Sequence, residues 1–293
     1  MLLTNRASPR HVALETTLLL HGVPRAQGER LARELTEIIT SAGALPAFVG
    51  IFHGRPTVGL DLNELTELLA AERVEKANTA NLGILMHRRA HGATTVSATM
   101  ELAAAAGVRC FATGGMGGIH RDYGTRLDIS ADLAAFTRFP VAVVTSGVKS
   151  LLDVGATREA LETLGIPVVG FRTDAFPAFY LRQSEAGVDA RFDDISELGA
   201  FIAAELARTG RGIVVANPIP EPDAISPLDW GRWLEQARRH ALDELGREPD
   251  GRAVTPTILK HLHEVSAGAT LRANLALVRA NAELAARLCA SVR

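Results

Sequence analysis

The sequence predicts an α/β protein with a largely parallel sheet. Six short apolar runs, each of the length of a buried strand, alternate with segments of helical periodicity. This alternation is typical of parallel sheets, in which a helix returns the chain to the start of the next strand. The composition agrees, because 47% hydrophobic and 22% charged residues are ordinary for a globular protein with a substantial core.

The predicted strands, in chain order, cover residues 12–20, 44–52, 108–113, 141–146, 167–171 and 212–217. Helix starts carry N-cap signals at Asp61 with Glu64, at Ser226 with Pro227, and at Thr255 with Pro256. The last part of the chain, about 40 residues, has apolar positions at helical spacing and predicts two helices that separate near Gly268. These signals agree with each other along the chain.

Composition also limits the domain organisation, the partners and the compartment. No linker-like stretch or charge block divides the 293 residues, so residues 1–293 are predicted to form one domain. A formal net charge of −2 with interspersed signs disfavours nucleic acid and anionic membranes as partners. The two cysteines are not spaced as ligands, and no secretory signal or membrane-spanning run is recognisable. The cytoplasm is therefore expected.

Ligands of open α/β sheets bind outside the carboxyl ends of the strands, which draws attention to the segments that follow the predicted strands. Four of them are rich in polar residues or glycine: the polar end of the first strand with its His-Gly, and residues 113–120, 146–150 and 216–222. The glycine cluster at 113–120 lacks the full GxGxxG spacing, so a dinucleotide site is only weakly indicated. A glycine loop that lines a ligand is the favoured interpretation.

Lys149 is a candidate nucleophile in the segment SGVKS. This segment differs from a P-loop, because Val148 stands between Gly147 and Lys149, so ATP hydrolysis is not indicated. We expect Lys149 at the start of a helix beginning near Ser150, where the helix terminus and partial desolvation favour the neutral amine. A solvated surface lysine is the alternative, and position alone does not decide between them.

Glu15 interrupts an otherwise apolar run and is a candidate acid. Burying an ionised carboxylate without partners costs far more than an apolar contact returns, so this position is either an exposed edge or part of a site. In an apolar site the pKa of a carboxyl group rises, which suits a proton donor near neutral pH.

The segment RLDISADL contains residues that suit either a helix cap or a metal. Asp128 and Asp132 flank Ser130, and all three are of the types that cap helices. One aspartate beside phosphate-binding groups could also hold Mg²⁺ or Mn²⁺, which need few protein ligands. The nine histidines form no HExxH motif, and His261 and His263 are expected on different helix faces, so the sequence disfavours a zinc site.

Taken together, the motifs of the chain resemble those of the pseudouridine-5′-phosphate glycosidases, also called indigoidine synthase A-like proteins. The motifs are LETTLLLHGVP (14–24), GATTVSATM (92–100), FATGGMGGIHR (111–121), LDISADL (127–133), SGVKSLLD (146–153), VVANPIPE (214–221) and LRANLALV (271–278). They occur in order from about residue 10 to the C-terminus. The resemblance implies a three-layer α/β/α fold, a homotrimer, manganese, and interconversion of pseudouridine 5′-phosphate with uracil and ribose 5-phosphate.

The resemblance also implies roles for individual residues. Glu15 matches the proton donor, Lys149 the covalent nucleophile that forms a lysine–ribose adduct, and Asp128 the ligand of one Mn²⁺ or other divalent ion per subunit. The residues that match substrate contacts are Lys76, Val96, Ser130, Ala131, Asp132 and Asn274. His120 and Arg121 match residues near the site without a definite role.

Two other functions remain open at this point. A Schiff-base aldolase or another sugar-phosphate lyase would share a nucleophilic lysine and a phosphate site but would need no pyrimidine pocket. An inactive sugar-phosphate-binding or accessory protein would need none of the reactive groups, and the presence of Glu15, Asp128 and Lys149 disfavours it. Substrate profiling distinguishes the lyase from the glycosidase.

Overall fold

The computed structural model describes residues 3–121, 123–124, 127–245 and 254–291, without the side chains of residues 245, 254–257 and 259–260. The strands are β1 (Thr4–Asn5), β2 (His11–Glu15), β3 (Leu45–Phe52), β4 (Arg55–Val58), β5 (Glu75–Ala77), β6 (Gly92–Thr94), β7 (Cys110–Ala112), β8 (Ile119–His120), β9 (Ala142–Thr145), β10 (Leu152–Asp153), β11 (Val168–Phe171), β12 (Ala190–Phe192) and β13 (Ile213–Ala216). The α-helices are α1 (Thr17–His21), α2 (Arg25–Ser41), α3 (Leu62–Ala70), α4 (Leu82–His87), α5 (Val96–Ala105), α6 (Ala131–Phe136), α7 (Val154–Thr163), α8 (Ile195–Thr209), α9 (Pro227–Leu245), α10 (Val254–Val265) and α11 (Ala269–Ser291).

The central sheet is largely parallel, as predicted. Its main order is β1-β4-β3-β2-β7-β9-β13-β11-β12, and β5 and β6 attach beside β3. The six strands predicted from the sequence become β3, β2, β7, β9, β13 and β11, which are neighbours and run parallel to one another. The antiparallel pairs of this sheet join β3 to β4 and to β6, at one side. The predicted runs therefore form the middle of the sheet.

Helices cover both faces of the sheet, which gives the three-layer α/β/α sandwich. Successive residues of β2 show the two faces: Val12 and Leu14 pack in a core with α2, α8 and α11, whereas Ala13 packs in a second core with α5, α6 and α7. Strand side chains alternate between faces, so a strand buried on both sides has an unbroken apolar sequence. This is why the predicted strands are recognisable as continuous apolar runs.

The first predicted strand, over 12–20, is wrong in its second half. Strand β2 ends at Glu15, and residues 17–21 form the short helix α1. The carbonyl of Thr16 accepts from the amides of Leu19 and Leu20 at 3.1 Å, which starts the helix. A short apolar run has the same pattern in a buried strand and a buried helix, so its periodicity could not separate them. Glu15 consequently lies at the strand's end rather than inside it.

The helix expected near Ser150 begins later. Ser150 lies in a turn, residues 152–153 pair with β8, and α7 starts at Val154. Asp153 caps that helix by accepting from the amide of Ala156 at 2.9 Å. The pairing with β8 keeps this stretch extended, so Lys149 is not at a helix terminus.

Other helix signals are confirmed where side chains are described. Asp61 and Glu64 form a capping box, and Ser226 accepts from the amide of Asp229 at 3.0 Å. The side chain of Thr255, the third predicted cap, lies outside the described residues. Gly268, with φ of 77°, separates α10 from α11 as predicted. No helix within the described ranges is long and apolar enough to cross a membrane.

Candidate active site

The carboxyl ends of neighbouring parallel strands form the floor of one cavity. Glu15 ends β2, Gly114 follows β7 and Lys149 follows β9, and these strands are adjacent in the sheet. All three residues line a cavity of about 120 Å³, together with Lys76 and Asn274. Four of the residues predicted for the site thus share one cavity at the edge where α/β proteins bind ligands.

The loop that carries Lys149 is held by the glycine cluster. The Lys149 amide donates to the carbonyl of Met116 at 3.1 Å, and the Met116 amide donates to that of Gly147 at 2.9 Å. Gly147 has φ of 81°, and a Cβ atom there would collide with the carbonyl of Pro177. Glycine is required at this turn for both reasons. Lys149 is therefore positioned by backbone pairing, instead of by the predicted helix terminus.

A buried polar cluster behind the cavity ties the strand ends to α11. Asn281 is fully buried, and its Nδ2 donates to the carbonyl of Thr113 at 2.8 Å. Its Oδ1 accepts from Nδ2 of Asn217 at 2.9 Å, and Ser146 Oγ donates to the carbonyl of Asn217 at 2.9 Å. These bonds join the segments after β7, β9 and β13. The sequence analysis missed Asn281, because a polar residue in an otherwise apolar helix face gives no sign of its partners.

Glu15 is a buried acid with few partners. The residue is only 4% exposed, and its Oε1 accepts a hydrogen bond from Thr113 Oγ1 at 2.5 Å. Burial raises the pKa of Glu15, and the positive charge of Lys149 and the Thr113 hydrogen bond offset part of this rise. A carboxyl group that holds its proton toward neutral pH is suited to donate it.

A second lysine faces the same cavity. Lys76 lies on β5, and part of its side chain reaches solvent. The surrounding protein nevertheless lowers the pKa of Lys76, first by desolvation and then by the charge of Lys149, against a smaller opposing effect of Glu15. The charge of Lys149 therefore acts on both Glu15 and Lys76, and the two amines beside one cavity suit an anionic ligand.

Asn274 offers the cavity a free acceptor. Its Nδ2 donates to the carbonyl of Gly22 at 3.1 Å, which fixes the orientation of the amide. Its buried Oδ1 meets no donor among the described residues. A buried polar atom without a partner is costly unless a ligand supplies one. A hydroxyl or N–H group of a bound ligand would satisfy this oxygen.

The segment after the glycine cluster contains another buried carboxylate. Asp132 accepts from the amides of Ser97 and Gly117 at 2.9 and 2.8 Å, and so joins the start of α5 to the glycine loop. Ser130 caps α6 by accepting from the Asp132 amide at 3.2 Å. Val96 is fully buried, main chain included, so it presents no surface to a ligand in this structure. The predicted cap is confirmed at Ser130 rather than at Asp128.

Asp128 lies in the half-exposed part of this segment. Its carboxylate is 3.7 Å from Nε2 of His120, and its carbonyl accepts from the His120 amide at 3.1 Å. Arg121 Nε donates to the carbonyl of Leu152 at 3.4 Å, and Ala131 begins α6. An accessible carboxylate with room for water molecules fits a hard divalent ion, which takes one or two carboxylates and completes its shell with water.

The predicted residues therefore form two adjoining groups. Glu15, Lys76, Lys149 and Asn274 line the cavity, whereas Val96, Asp128, Ser130, Ala131 and Asp132 lie on α5 and the segment 128–132 and do not line it. The charge of Asp132 reaches Glu15 and contributes to its raised pKa, so the groups are close. Sequence reasoning missed the cavity residues Phe179, Tyr180 and His263, whereas His21 belongs to the His-Gly segment selected from the sequence. Aromatic and histidine residues of this kind are common in cores and carry no specific signal.

Comparison with known proteins gives relatives over almost the whole chain. A family model described as indigoidine synthase A like protein matches residues 5–291. A pseudouridine-5′-phosphate glycosidase from a Nocardioides species is 46% identical over 279 residues, covering 94% of this chain and 90% of that protein. Another from Symbiobacterium thermophilum is 42% identical over 291 residues, covering 96% and 92%.

Two solved structures also resemble this chain over almost its whole length. The indigoidine synthase A-like protein from Thermotoga maritima has a TM-score of 0.88 at 35% identity, covering 99% of this chain and 96% of that one. The prealnumycin C-glycosynthase AlnA in complex with ribulose 5-phosphate has a TM-score of 0.87 at 32% identity, with 96% and 91% covered. At 35% and 32% identity, these two proteins share sequence as well as fold with this chain.

Proposed function

The chain belongs to the family of indigoidine synthase A-like proteins, and from this premise we propose that it is a pseudouridine-5′-phosphate glycosidase. The reaction would cleave the C–C glycosidic bond of pseudouridine 5′-phosphate to uracil and ribose 5-phosphate, in a reversible manner. The observation that carries the proposal is the cavity in which a buried acid, Glu15, faces two amines, Lys76 and Lys149. The names of the relatives and the pentose-phosphate complex of a structural neighbour support it.

The bond to be broken explains why an amine and an acid are needed together. In a C-nucleoside the sugar carbon C1′ is joined to carbon C5 of the base, so there is no nitrogen or oxygen leaving atom to protonate. An electron source on C1′ must therefore be created before the bond breaks. An amine that becomes attached to C1′ supplies it, because the nitrogen lone pair can form a C=N bond as the base departs.

We assign the first step to Lys149 and Glu15. The amine of Lys149 attacks C1′, the C1′–O4′ bond breaks, and its electron pair goes to O4′, which takes the proton of Glu15. The raised pKa of Glu15 keeps that proton available. The product is an open-chain sugar that carries the lysine nitrogen on C1′ and remains joined to the base.

The second and third steps release the products. The attached nitrogen, a cationic ammonium after the attack, first gives a proton to the ionised Glu15. Its lone pair then forms the C=N bond to C1′, the C1′–C5 bond breaks, and the electrons of that bond go to C5. C5 takes the proton back from Glu15, and uracil leaves, so Glu15 is ionised again. Water then adds to the iminium carbon and expels the Lys149 amine, which yields open-chain ribose 5-phosphate. Glu15, ionised after the first step, is available to take a proton from this water.

Other residues of the site would bind the substrate. We propose that Lys76 pairs with its anionic phosphate and that Oδ1 of Asn274 accepts from a hydroxyl or N–H group. Asp128 would hold a divalent ion, expected to be Mn²⁺, and such an ion would offset negative charge and orient water and substrate. This side of the site would be shaped by Ser130, Ala131 and Asp132, and the contact of Val96 with substrate stays a prediction from the family resemblance. The homotrimer and the cytoplasmic location stay predictions from the family and the sequence.

The test is release of uracil from pseudouridine 5′-phosphate in the presence of Mn²⁺. We expect turnover by the unmodified protein, inhibition by a chelator that added Mn²⁺ reverses, and no turnover by Lys149→Ala. Lys149→Arg is the matched control, because it keeps a positive charge but has no nucleophilic amine. Circular dichroism checks that each variant is folded.

Two results would overturn the proposal. A folded protein without turnover in either direction would favour a binding or accessory role. Turnover of sugar phosphates that carry no pyrimidine, with none of pseudouridine 5′-phosphate, would favour a Schiff-base aldolase or lyase.

A further inference from the structure

A second cluster of reactive side chains lies at the antiparallel side of the sheet, where β4 and β6 pair with β3. His53 stands in the turn between β3 and β4, Glu67 on α3, and His91 directly before β6. One ligand atom from each side chain lies within 4.8 Å of the other two. No other group of three such residues in the described part of the chain meets this condition. Glu67 and His91 are 14 and 38 positions from His53 along the chain, so no sequence spacing indicates the cluster.

The contacts within the cluster already bring the ligand atoms together. His53 Nε2 lies 2.7 Å from Glu67 Oε1, and the centroids of the His53 and His91 rings are 4.4 Å apart. The amide of His53 reaches Nδ1 of His91 only at 3.4 Å, near the long limit of a hydrogen bond, so it restrains the ring weakly. Rotation of the exposed His53 and Glu67 side chains would bring the three ligand atoms closer around one cation.

The backbone presents His53 in a fixed direction. His53 and Gly54 have φ of 48° and 74°, so both residues of the turn are left-handed, as in the tight turns that join antiparallel strands. A Cβ atom on Gly54 would lie 2.5 Å from the Cα of Arg89, so this residue must be glycine. The ring of Phe52 packs near His91, with centroids 5.3 Å apart. Two of the ligands are thus positioned by the fold and not only by their mutual attraction.

We propose that His53, Glu67 and His91 form a zinc site, distinct from the carboxylate position at Asp128. Two imidazoles and one carboxylate are a donor set that suits Zn²⁺, whereas Mg²⁺ and Mn²⁺ prefer oxygen ligands and water. The side chains of His53 and Glu67 are 59% and 53% exposed, which leaves room for water as the fourth ligand. The cation takes the place of the proton shared between His53 and Glu67.

Zinc at this position would link three elements that otherwise meet only at the surface. It would join the β3–β4 turn, α3 and the start of β6, and β6 leads directly to Thr95 and Val96 beside the candidate active site. A ligand that binds only the folded chain stabilises it in proportion to its affinity and concentration. Bound zinc would therefore stabilise the folded chain through this link.

The test is calorimetric titration of Zn²⁺ into the metal-stripped full-length protein. We expect saturable binding that becomes at least roughly tenfold weaker in His53→Asn, Glu67→Gln and His91→Ala, because each removes a ligand. Asparagine is chosen at 53 since it tolerates positive φ. His87→Ala is the matched control, as it removes an exposed histidine outside the cluster and should bind Zn²⁺ as the unmodified protein does.

Cobalt absorption separates this site from one at Asp128. Co²⁺ bound by imidazoles in a four- or five-coordinate site absorbs strongly in the visible region, whereas an octahedral oxygen site absorbs weakly. Strong bands that disappear in the double variant His53→Asn/His91→Ala support the proposal. Absence of Zn²⁺ binding to the unmodified protein, or equal binding by the folded double variant, would overturn it whether or not the protein cleaves pseudouridine 5′-phosphate.

Discussion

Glu15 and Asp132 are both buried carboxylates at the same edge of the sheet, with 4% and 5% of each residue exposed, yet their surroundings differ. Around Glu15 the protein offers one hydroxyl donor and an open cavity. Around Asp132 two backbone amides point at the carboxylate oxygens, one from α5 and one from the glycine loop. A buried carboxyl group with few donors has a raised pKa and can act as an acid. A buried carboxylate with matched amide donors instead joins the segments that supply those amides. The two carboxylates are almost equally buried, so the number of hydrogen-bond donors around each one distinguishes the candidate acid Glu15 from the structural residue Asp132.

The largest effect should come from removing the acid of the first region. Glu15→Gln keeps the shape of the side chain but has no proton to donate, so we expect turnover to fall by roughly 10²–10⁴-fold. Steady-state release of uracil measures this loss. A variant with nearly unmodified turnover would contradict the assignment of Glu15 as the donor.

The same variant, Glu15→Gln, should be more stable than the unmodified protein at alkaline pH. The folded-state pKa of Glu15 is raised above its ordinary value of 4.5, so its stabilising contribution is complete at lower pH and is lost as pH rises through the raised value. Glutamine cannot ionise, so thermal unfolding of Glu15→Gln should shift upward relative to the unmodified protein as pH increases. A shift in the other direction would mean that the ionised form is the better accommodated one.

In the second region the loss should be in stability. Asp132→Ala leaves the amides of Ser97 and Gly117 without their acceptor, and we expect the free energy of unfolding to fall by about 3 kcal/mol. Urea denaturation measures this change. Unchanged stability would show that the two amides find other partners.

Loss of the unpartnered acceptor Oδ1 of Asn274 should have a smaller effect, and this effect should be on substrate binding. Asn274→Leu removes the free Oδ1, and one lost hydrogen bond to a ligand corresponds to about a tenfold higher KM. Asn274→Asp is the control, since it keeps an acceptor oxygen at this position. Equal KM values for the leucine variant and the unmodified protein would place the substrate elsewhere.

The smallest change in stability is expected at Asp128. This carboxylate is 38% exposed, so Asp128→Ala should alter the free energy of unfolding by no more than about 0.5 kcal/mol. The turnover of Asp128→Ala should no longer respond to added Mn²⁺. Titrating Mn²⁺ into the activity assay measures this. A large loss of stability would instead make Asp128 a structural partner of His120.

Much of the sheet, and less of the site, could be predicted from the sequence. The central strands are buried on both faces and form apolar runs, whereas β1, β5, β8 and β10 are two or three residues long and leave no pattern. The roles of Glu15 and Lys149 came from chemistry joined to a family resemblance. Asn281, Phe179 and the His53 cluster depend on contacts between distant segments, which local patterns do not encode.

The most direct test of the central claim is to trap the lysine adduct. The protein is incubated with ribose 5-phosphate, whose open-chain aldehyde forms an imine with the amine and loses water, and borohydride then reduces the imine to a stable secondary amine. Peptide mass spectrometry should find the mass of ribose 5-phosphate, less one oxygen atom, on Lys149. The label should persist in Lys76→Met and vanish in Lys149→Arg. A label on Lys76 alone, or none on a protein that is active, would contradict Lys149 as the nucleophile.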